Sequence, residues 1–278
     1  MTYHEQGEFR YYTFPSLESA RLPHAILTRR GGASRDPYRS LNVGSSVGDD
    51  PACVHENRRR ALSLFNRNPE SIPELFQVHS NRILLGHPPG TGEPLPQADG
   101  IVTDSPSLTL MMRFADCVPI LFFDPVRHAA GIAHAGWKGT LAGVAARAVE
   151  AFREHFGSRP EDLLAGIGPS IGPDHYPVGE ELAGAFRSSF GPAAEAWLMH
   201  RDDGIHLDLW AANEFILRRA GVEKIDNSGI CTACHTEDWF SHRAEHGRTG
   251  RFGAMVWLGE KGLGLIHEQP SIQPGNIP

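Results

Sequence analysis

Two histidines and a cysteine, His79 in LFQVHS, Cys117 in RFADCVP and His134 in GIAHAGW, are the residues of this chain best suited by type and setting to metal chemistry. Two imidazoles and one thiolate hold zinc with a fourth tetrahedral position left open, which is the arrangement of catalytic sites; closed four-ligand sites are structural. The intervals of 38 and 17 residues match no finger or knuckle, so tertiary structure has to assemble the site. Each ligand abuts a run that reads as core strand: Glu74–Val78, Val118–Phe123 and Ala129–Ala133. Ligands carried on strand ends are held rigidly.

The stretch from Ile132 to Thr140 adds a possible anion site. It turns from strand into a helix whose expected N-cap is Thr140. Gly136 and Gly139 allow close approach of backbone to a ligand, first-turn amides carry partial positive charge, and Lys138 adds a full one. The plainer reading of the same residues is a tight turn with a solvated lysine. Asp116, beside Cys117, has two readings as well: it orients a ligand imidazole or moves a proton, or it is a buried turn carboxylate.

The elements that must position these residues alternate between strand and helix. Short apolar runs bounded by turn residues predict strands at Ala25–Thr28, Gly100–Thr103, Leu108–Phe114, Val118–Phe123, Ala130–Ala133, Leu163–Ile167 and Phe252–Leu258. From Thr140 to Phe156, apolar residues at Leu141, Val144, Ala145, Ala148, Val149, Phe152 and Phe156 form one helical face that stops before Gly157. A second helix opens at Asp49-Asp-Pro51, an acidic cap followed by proline at the first helical position. Glu180–Phe190 and Trp210–Ala220 complete the helices. Pro88–Pro96 reads as a surface loop, and the polar, proline-rich tail Ile266–Pro278 as frayed.

A chain of 278 residues, 40% hydrophobic, can bury a large core, and its length fits one large domain or two small ones; a single domain spanning residues 1–278 is the expectation adopted. The net charge of -7 comes without a basic stripe, which argues against nucleic acid and toward small-molecule partners. No apolar run approaches the ~20 residues of a membrane helix. The N-terminus lacks a secretion pattern, and four cysteines are too few for a disulfide scaffold, so a reducing cytoplasm is the expected compartment.

Cys231-Thr-Ala-Cys-His235 spells a haem-attachment pattern that has no support without a secretion signal. The pair could bind a metal or act in redox chemistry, but a closed zinc ribbon would lack its other half. Cys231 therefore reads as structural or pocket-lining, and Cys53 as core on a helix face.

Ten stretches carry a resemblance to one family. They are Thr28-Arg-Arg-Gly-Gly-Ala-Ser34, Ser40-Leu-Asn-Val-Gly44, Val54-His-Glu-Asn-Arg58, Gln77-Val-His79, Ala98-Asp-Gly100, Ala115-Asp-Cys-Val-Pro-Ile120, His134-Ala-Gly-Trp137, Gly166-Ile-Gly-Pro-Ser-Ile-Gly172, Cys231-Thr232 and Phe240-Ser-His-Arg243. In this order they resemble the laccase-domain family, also called multicopper polyphenol oxidases and described as purine nucleoside phosphorylases unrelated to the trimeric and hexameric kinds. The resemblance implies zinc at His79, Cys117 and His134. It also implies a four-layer α/β/β/α fold of the α+β kind with mixed sheets, similar to the catalytic domain of the cytotoxic necrotising factor toxins. Cys117, His134, Asn42 and Arg58 become the expected catalytic residues, with Lys138, Gly136 and Arg243 for substrate and phosphate. The implied activities are phosphorolysis of adenosine, inosine and 5'-methylthioadenosine, and deamination of adenosine.

One site is chemically suited to both activities. Zinc lowers the pKa of bound water toward ~7, which suits attack on C6 of adenine. In phosphorolysis the base leaves with negative charge, so a cation near it and a held phosphate both help. The familiar zinc deaminases pair His-x-Glu with Pro-Cys-x-x-Cys, and no such pair accompanies His79 or His134, which leaves the general acid unassigned. Copper is a lesser expectation: multicopper oxidases need His-x-His segments, and none of the 15 histidines lies two positions from another. The rival classes are a cysteine hydrolase or amidase, with Cys117 as nucleophile and His134 as base, and a non-catalytic metal- or nucleoside-binding module.

Overall fold

The period-two sorting of side chains in the central strands dictates the layering. Along Val118–Asp124, Val118, Ile120 and Phe122 enter one core while Leu121 and Phe123 enter a second. Along Thr109–Phe114, Leu110, Met112 and Phe114 enter that second core and Met111 a third; along Phe252–Trp257, Phe252, Ala254 and Val256 oppose Met255 and Trp257 in the same way. Each strand is thus buried on both faces, which is why these segments read as near-continuous apolar runs.

The computed structural model describes residues 1–88 and 94–259. The expected loop at Pro88–Pro96 lies partly, and the tail at Ile266–Pro278 wholly, outside the described residues. A six-stranded sheet runs in the order Lys224–Asn227, Leu164–Ile167, Val118–Asp124, Ala129–Ala135, Gly100–Thr103, Ile83–Leu85, with parallel pairs at its two edges and antiparallel pairs between. A five-stranded sheet, in the order Thr2–Gln6, Phe9–Thr13, His24–Leu27, Phe252–Trp257, Thr109–Phe114, is antiparallel throughout. The two sheets share the second core, where Phe114 stacks on Phe252 and Trp239 meets Phe252 edge-on.

Helices cover the outer faces. Val144–Phe156 and Leu209–Arg219 bury their apolar sides on the six-stranded sheet, Glu180–Phe190 adds Ala183 and Phe186 to the same core from beside the short helix Trp137–Leu141, and Pro51–Ser63 places Ala61 and Leu62 against the five-stranded sheet. The result is the four-layer α/β/β/α arrangement. Phe152 at the centre of the first interface is fully buried and packs on Phe122; truncation of such a residue costs about 3–5 kcal/mol. A small antiparallel sheet of Pro177–Val178, Gly204–Leu207 and Leu198–Arg201 lies beside these helices. Only the six-stranded sheet is mixed among the described residues. Among the described residues no helix is long and apolar enough to cross a membrane.

The predicted helix from Thr140 is in fact two. A short helix, Trp137–Leu141, begins at Gly136, and a left-handed Gly143 separates it from Val144–Phe156. Thr140 is no cap: it is buried within the short helix, and its hydroxyl accepts from the Asn213 amide at 3.0 Å. Asp50 caps the helix Pro51–Ser63 as expected, its carboxylate accepting from the Ala52 amide. The run Glu74–Val78 is not a strand. Apart from one bridge between Phe76 and Gln97 it is irregular, and Phe76 is exposed.

Candidate metal centre

Strand register brings two of the three expected ligands together. Val118 pairs with Ala135 and Pro119 with His134, so Cys117 and Gly136, one position further out on each strand, lie side by side. On the other edge of the Ala129–Ala135 strand, Gly100 pairs with Ala133, which sets Asp99 opposite His134; the His134 amide donates to the Asp99 carbonyl at 2.8 Å. His134 is buried and Cys117 half-buried.

His79 arrives on a loop, and Asp99 holds that loop. The fully buried Asp99 carboxylate accepts from three successive amides, Val78, His79 and Ser80, at 3.2, 3.0 and 2.6 Å, and from the Ser80 hydroxyl at 2.8 Å. His79 adopts a left-handed backbone, φ 60°, a conformation uncommon outside glycine that helps turn consecutive amides toward one anion. Asp99 Oδ1 also lies 2.9 Å from His134 Nδ1. That contact fixes the tautomer and leaves Nε2 for a metal, as is usual for ligand histidines.

One donor atom from each of His79, Cys117 and His134 lies within 4.8 Å of the other two. The set suits zinc, and copper(I) less selectively. Backbone makes room for it: a Cβ on Gly136 would stand 2.7 Å from Cys117 Sγ and 2.9 Å from His79 Nδ1. Burial by itself would raise the Cys117 thiol, but the adjacent His134 and His79 imidazoles outweigh it and bring it down to about 6. Burial likewise disfavours charge on His134, while Cys117 and Asp99 together lift it to about 9. Burial would raise Asp99 too, yet His134 and the Ser80 donors hold it at about 2. The pocket therefore favours a thiolate and a carboxylate around its imidazoles.

Asp116 is the turn carboxylate, and the imidazole is oriented by Asp99 instead. Asp116 has φ 82°, accepts from the Thr232 hydroxyl and the Arg243 amide, each at 2.7 Å, and so ties the Cys117 turn to two later segments. Of the other expected residues, Arg243 is exposed, with its guanidinium 5.1 Å over the Tyr176 ring. Lys138 is exposed and lies over Trp137. Asn42 is fully buried and its amide is engaged by Gly44, Asp49 and the Arg251 backbone, which gives it a loop-holding role. Arg58 donates to the Val43 carbonyl and to Glu74, while its buried Nη2 has no hydrogen-bond partner.

Tyr176 and Arg251 join the site without having been expected there. Burial raises the Tyr176 phenol and the charge of Cys117 adds to this, with Arg243 opposing. Burial lowers the Arg251 guanidinium, against the pull of Cys117 and Asp116. Asp99 was visible only as part of Ala98-Asp-Gly100, a carboxylate directly preceding a predicted strand. A cavity of about 520 Å³ lined by Arg29, Arg30, Arg39 and Thr236 contains none of the three ligands.

Comparison with known proteins gives the family. The family described as multi-copper polyphenol oxidoreductase laccase matches residues 23–259. A protein of Deinococcus radiodurans named purine nucleoside phosphorylase is 38% identical over 246 residues, covering 88% of this chain and 93% of its own. The Escherichia coli purine nucleoside phosphorylase YfiH is 36% identical, with coverage of 83% and 91%. The crystal structure of YlmD from Geobacillus stearothermophilus superposes with a TM-score of 0.86 at 33% identity, covering 93% of this chain and 99% of that one. The chain, whose His79, Cys117 and His134 cluster as candidate ligands, belongs to the multi-copper polyphenol oxidoreductase laccase family.

Proposed function

We propose that the protein is a zinc-dependent purine nucleoside phosphorylase that cleaves adenosine, inosine or 5'-methylthioadenosine with phosphate. The observation carrying this reading is the convergence of His79, Cys117 and His134 around one ion-sized space, with Asp99 ordering two of them. The names of the relatives supply the reaction class. When bound, zinc provides a fixed positive charge that favours the negative charge developing on the departing purine.

The protein's own residues do the remaining work. Asp99 keeps His134 in one tautomer, Gly136 leaves the ligand space open, and Asn42 ties two loops together by accepting the Arg251 amide on its side-chain oxygen. Arg243 and Lys138 are exposed cations for phosphate, and the unpartnered Nη2 of Arg58 is a further donor. An open fourth position also suits hydrolytic loss of the adenosine 6-amino group, which we assign as a side activity. Four free cysteines fit a reducing cytoplasm as the compartment.

A second reading has a specific observation behind it. Asp99, His134 and Cys117 lie in the order of a Cys-His-Asp hydrolase, with a lowered thiol and an oriented imidazole. His79, a second imidazole on the same sulfur, favours a ligand over a nucleophile. Metal analysis of the purified protein, with adenosine incubated with and without phosphate, separates these readings. Phosphate-dependent adenine from a zinc-loaded protein supports phosphorolysis, and inosine alone moves the weight to deamination. Metal-free protein, alkylated at Cys117 and inert toward nucleosides, leaves the hydrolase.

A further inference from the structure

Behind the first centre lies another set of soft donors, contributed by two segments that the chemistry above does not use. His175 ends the short 3-10 turn Pro173–His175, and Cys231 and Cys234 follow the Lys224–Asn227 strand. We propose that His175, Cys231 and Cys234 form a second metal site, for a thiophilic divalent cation such as zinc, that clips these two segments together.

The distances are those of ligands around an ion. His175 Nδ1 lies 3.5 Å from Cys234 Sγ and 3.8 Å from Cys231 Sγ, and all three donors fall within 4.8 Å of one another. Tetrahedral zinc with ordinary bond lengths separates its sulfur and nitrogen ligands by about 3.6 Å and two sulfurs by about 3.8 Å. The buried Cys231 sulfur already accepts the Gly172 amide at 3.2 Å, a contact suited to a thiolate ligand. Gly172 permits this approach, because a Cβ there would lie 3.0 Å from the Trp210 ring and 3.1 Å from Cys231 Cβ.

The apparent haem pattern resolves differently from its sequence. His235, the last residue of Cys-x-x-Cys-His, faces Glu237 at 3.3 Å, and the histidine that joins the two sulfurs comes from 56 residues before Cys231. This supplies the missing partner of the Cys-x-x-Cys pair. His175 and Cys234 are exposed, so the fourth position faces solvent. Cys231 and His175 are each one residue from a group at the first centre: the Thr232 hydroxyl donates to Asp116, and Tyr176 feels the charge of Cys117. A bound ion would hold Tyr176 and Thr232 in register with the Cys117 turn, which the Ile171 amide also ties through the Asp116 carbonyl at 2.9 Å.

Zinc titration of chelator-stripped, reduced full-length protein against a chromophoric zinc indicator tests this. Two ions per chain are expected for the unaltered protein, and one each for Cys234→Ser, His175→Ala and Cys117→Ala. Both residues altered at the second site are exposed, so these variants retain the fold. A single ion, lost in Cys117→Ala and unchanged in Cys234→Ser and His175→Ala, overturns the second site and leaves the first standing. A single ion with the opposite pattern supports the second site and sinks the first. Intact mass two hydrogens low, with Cys231 and Cys234 linked in a peptide map and no second ion bound after reduction, also overturns it.

Discussion

Asp99 Oδ1 lies 2.9 Å from His134 Nδ1, and the same carboxylate gathers the Val78, His79 and Ser80 amides, so one buried anion sets the position of two candidate ligands carried on different segments. Asp99→Asn keeps the side-chain shape but replaces one acceptor oxygen with a donor that faces amide hydrogens or the imidazole. Loss of such a partner typically lowers metal affinity about 10–100-fold. Indicator competition should record that loss; unchanged affinity would show that His134 needs no such anchor.

Gly136→Ala is a purely steric test, because Gly136 has an ordinary φ of -75°. The added methyl would stand 2.7 Å from the Cys117 sulfur, and one of the two has to move. Sites displaced by about 1 Å lose function while the fold persists. Zinc affinity is expected to fall by an order of magnitude or so while thermal unfolding stays close to the parent. Loss of cooperative unfolding instead would assign Gly136 to folding and not to the ligand space.

Arg243→Ala should separate substrate binding from the metal. Its guanidinium is exposed over Tyr176, and its backbone amide donates to Asp116 in the Cys117 turn. A charge-assisted hydrogen bond is worth about 1.5–3 kcal/mol, so the KM for phosphate should rise roughly tenfold or more with zinc content unchanged. Steady-state kinetics with phosphate varied at saturating nucleoside gives the answer, and an unaltered KM removes Arg243 from phosphate binding.

His24 makes stability depend on pH at a place remote from the chemistry. It is buried, accepts the Phe14 amide at 2.7 Å on Nε2 and contacts the Leu22 carbonyl through Nδ1, so it folds as the neutral ring. Burial brings it from 6.5 down to about 4. The unfolded chain therefore binds the proton first: the stabilisation is intact above pH 6.5, declines as pH falls, and is fully lost below about 4. The total is at most about 3 kcal/mol. Calorimetry between pH 7 and 4 should show a shallower decline in His24→Gln than in the parent, and parallel curves would rule this residue out as the cause.

Apolar runs and turn residues predicted most of the inner strands to within a residue or two, because segments buried on both faces must be apolar regardless of their neighbours. The N-terminal hairpin of Thr2–Gln6 and Phe9–Thr13 went unpredicted: its side chains are largely exposed or half-buried, and polar residues such as Glu5 and Arg10 mask the alternation. The helix after His134 broke at Gly143 because a left-handed backbone there outweighs an otherwise continuous apolar face.

The three donors that cluster at the candidate metal centre were legible as types, since few residues can hold a soft metal and each stood in a recognisable setting. Asp99 was not singled out, nor was His175, because a carboxylate or an imidazole acquires its role from what faces it and not from its chain neighbours. The sequence alone determined which segments must be buried and which side chains can ligate. Tertiary structure decided which donors share a space: strand register set Cys117 beside Gly136 and Asp99 opposite His134, and it drew His175 to Cys231 and Cys234 across 56 residues of chain. Those pairings depend on long-range hydrogen bonding between strands and loops, a geometry that local composition does not encode.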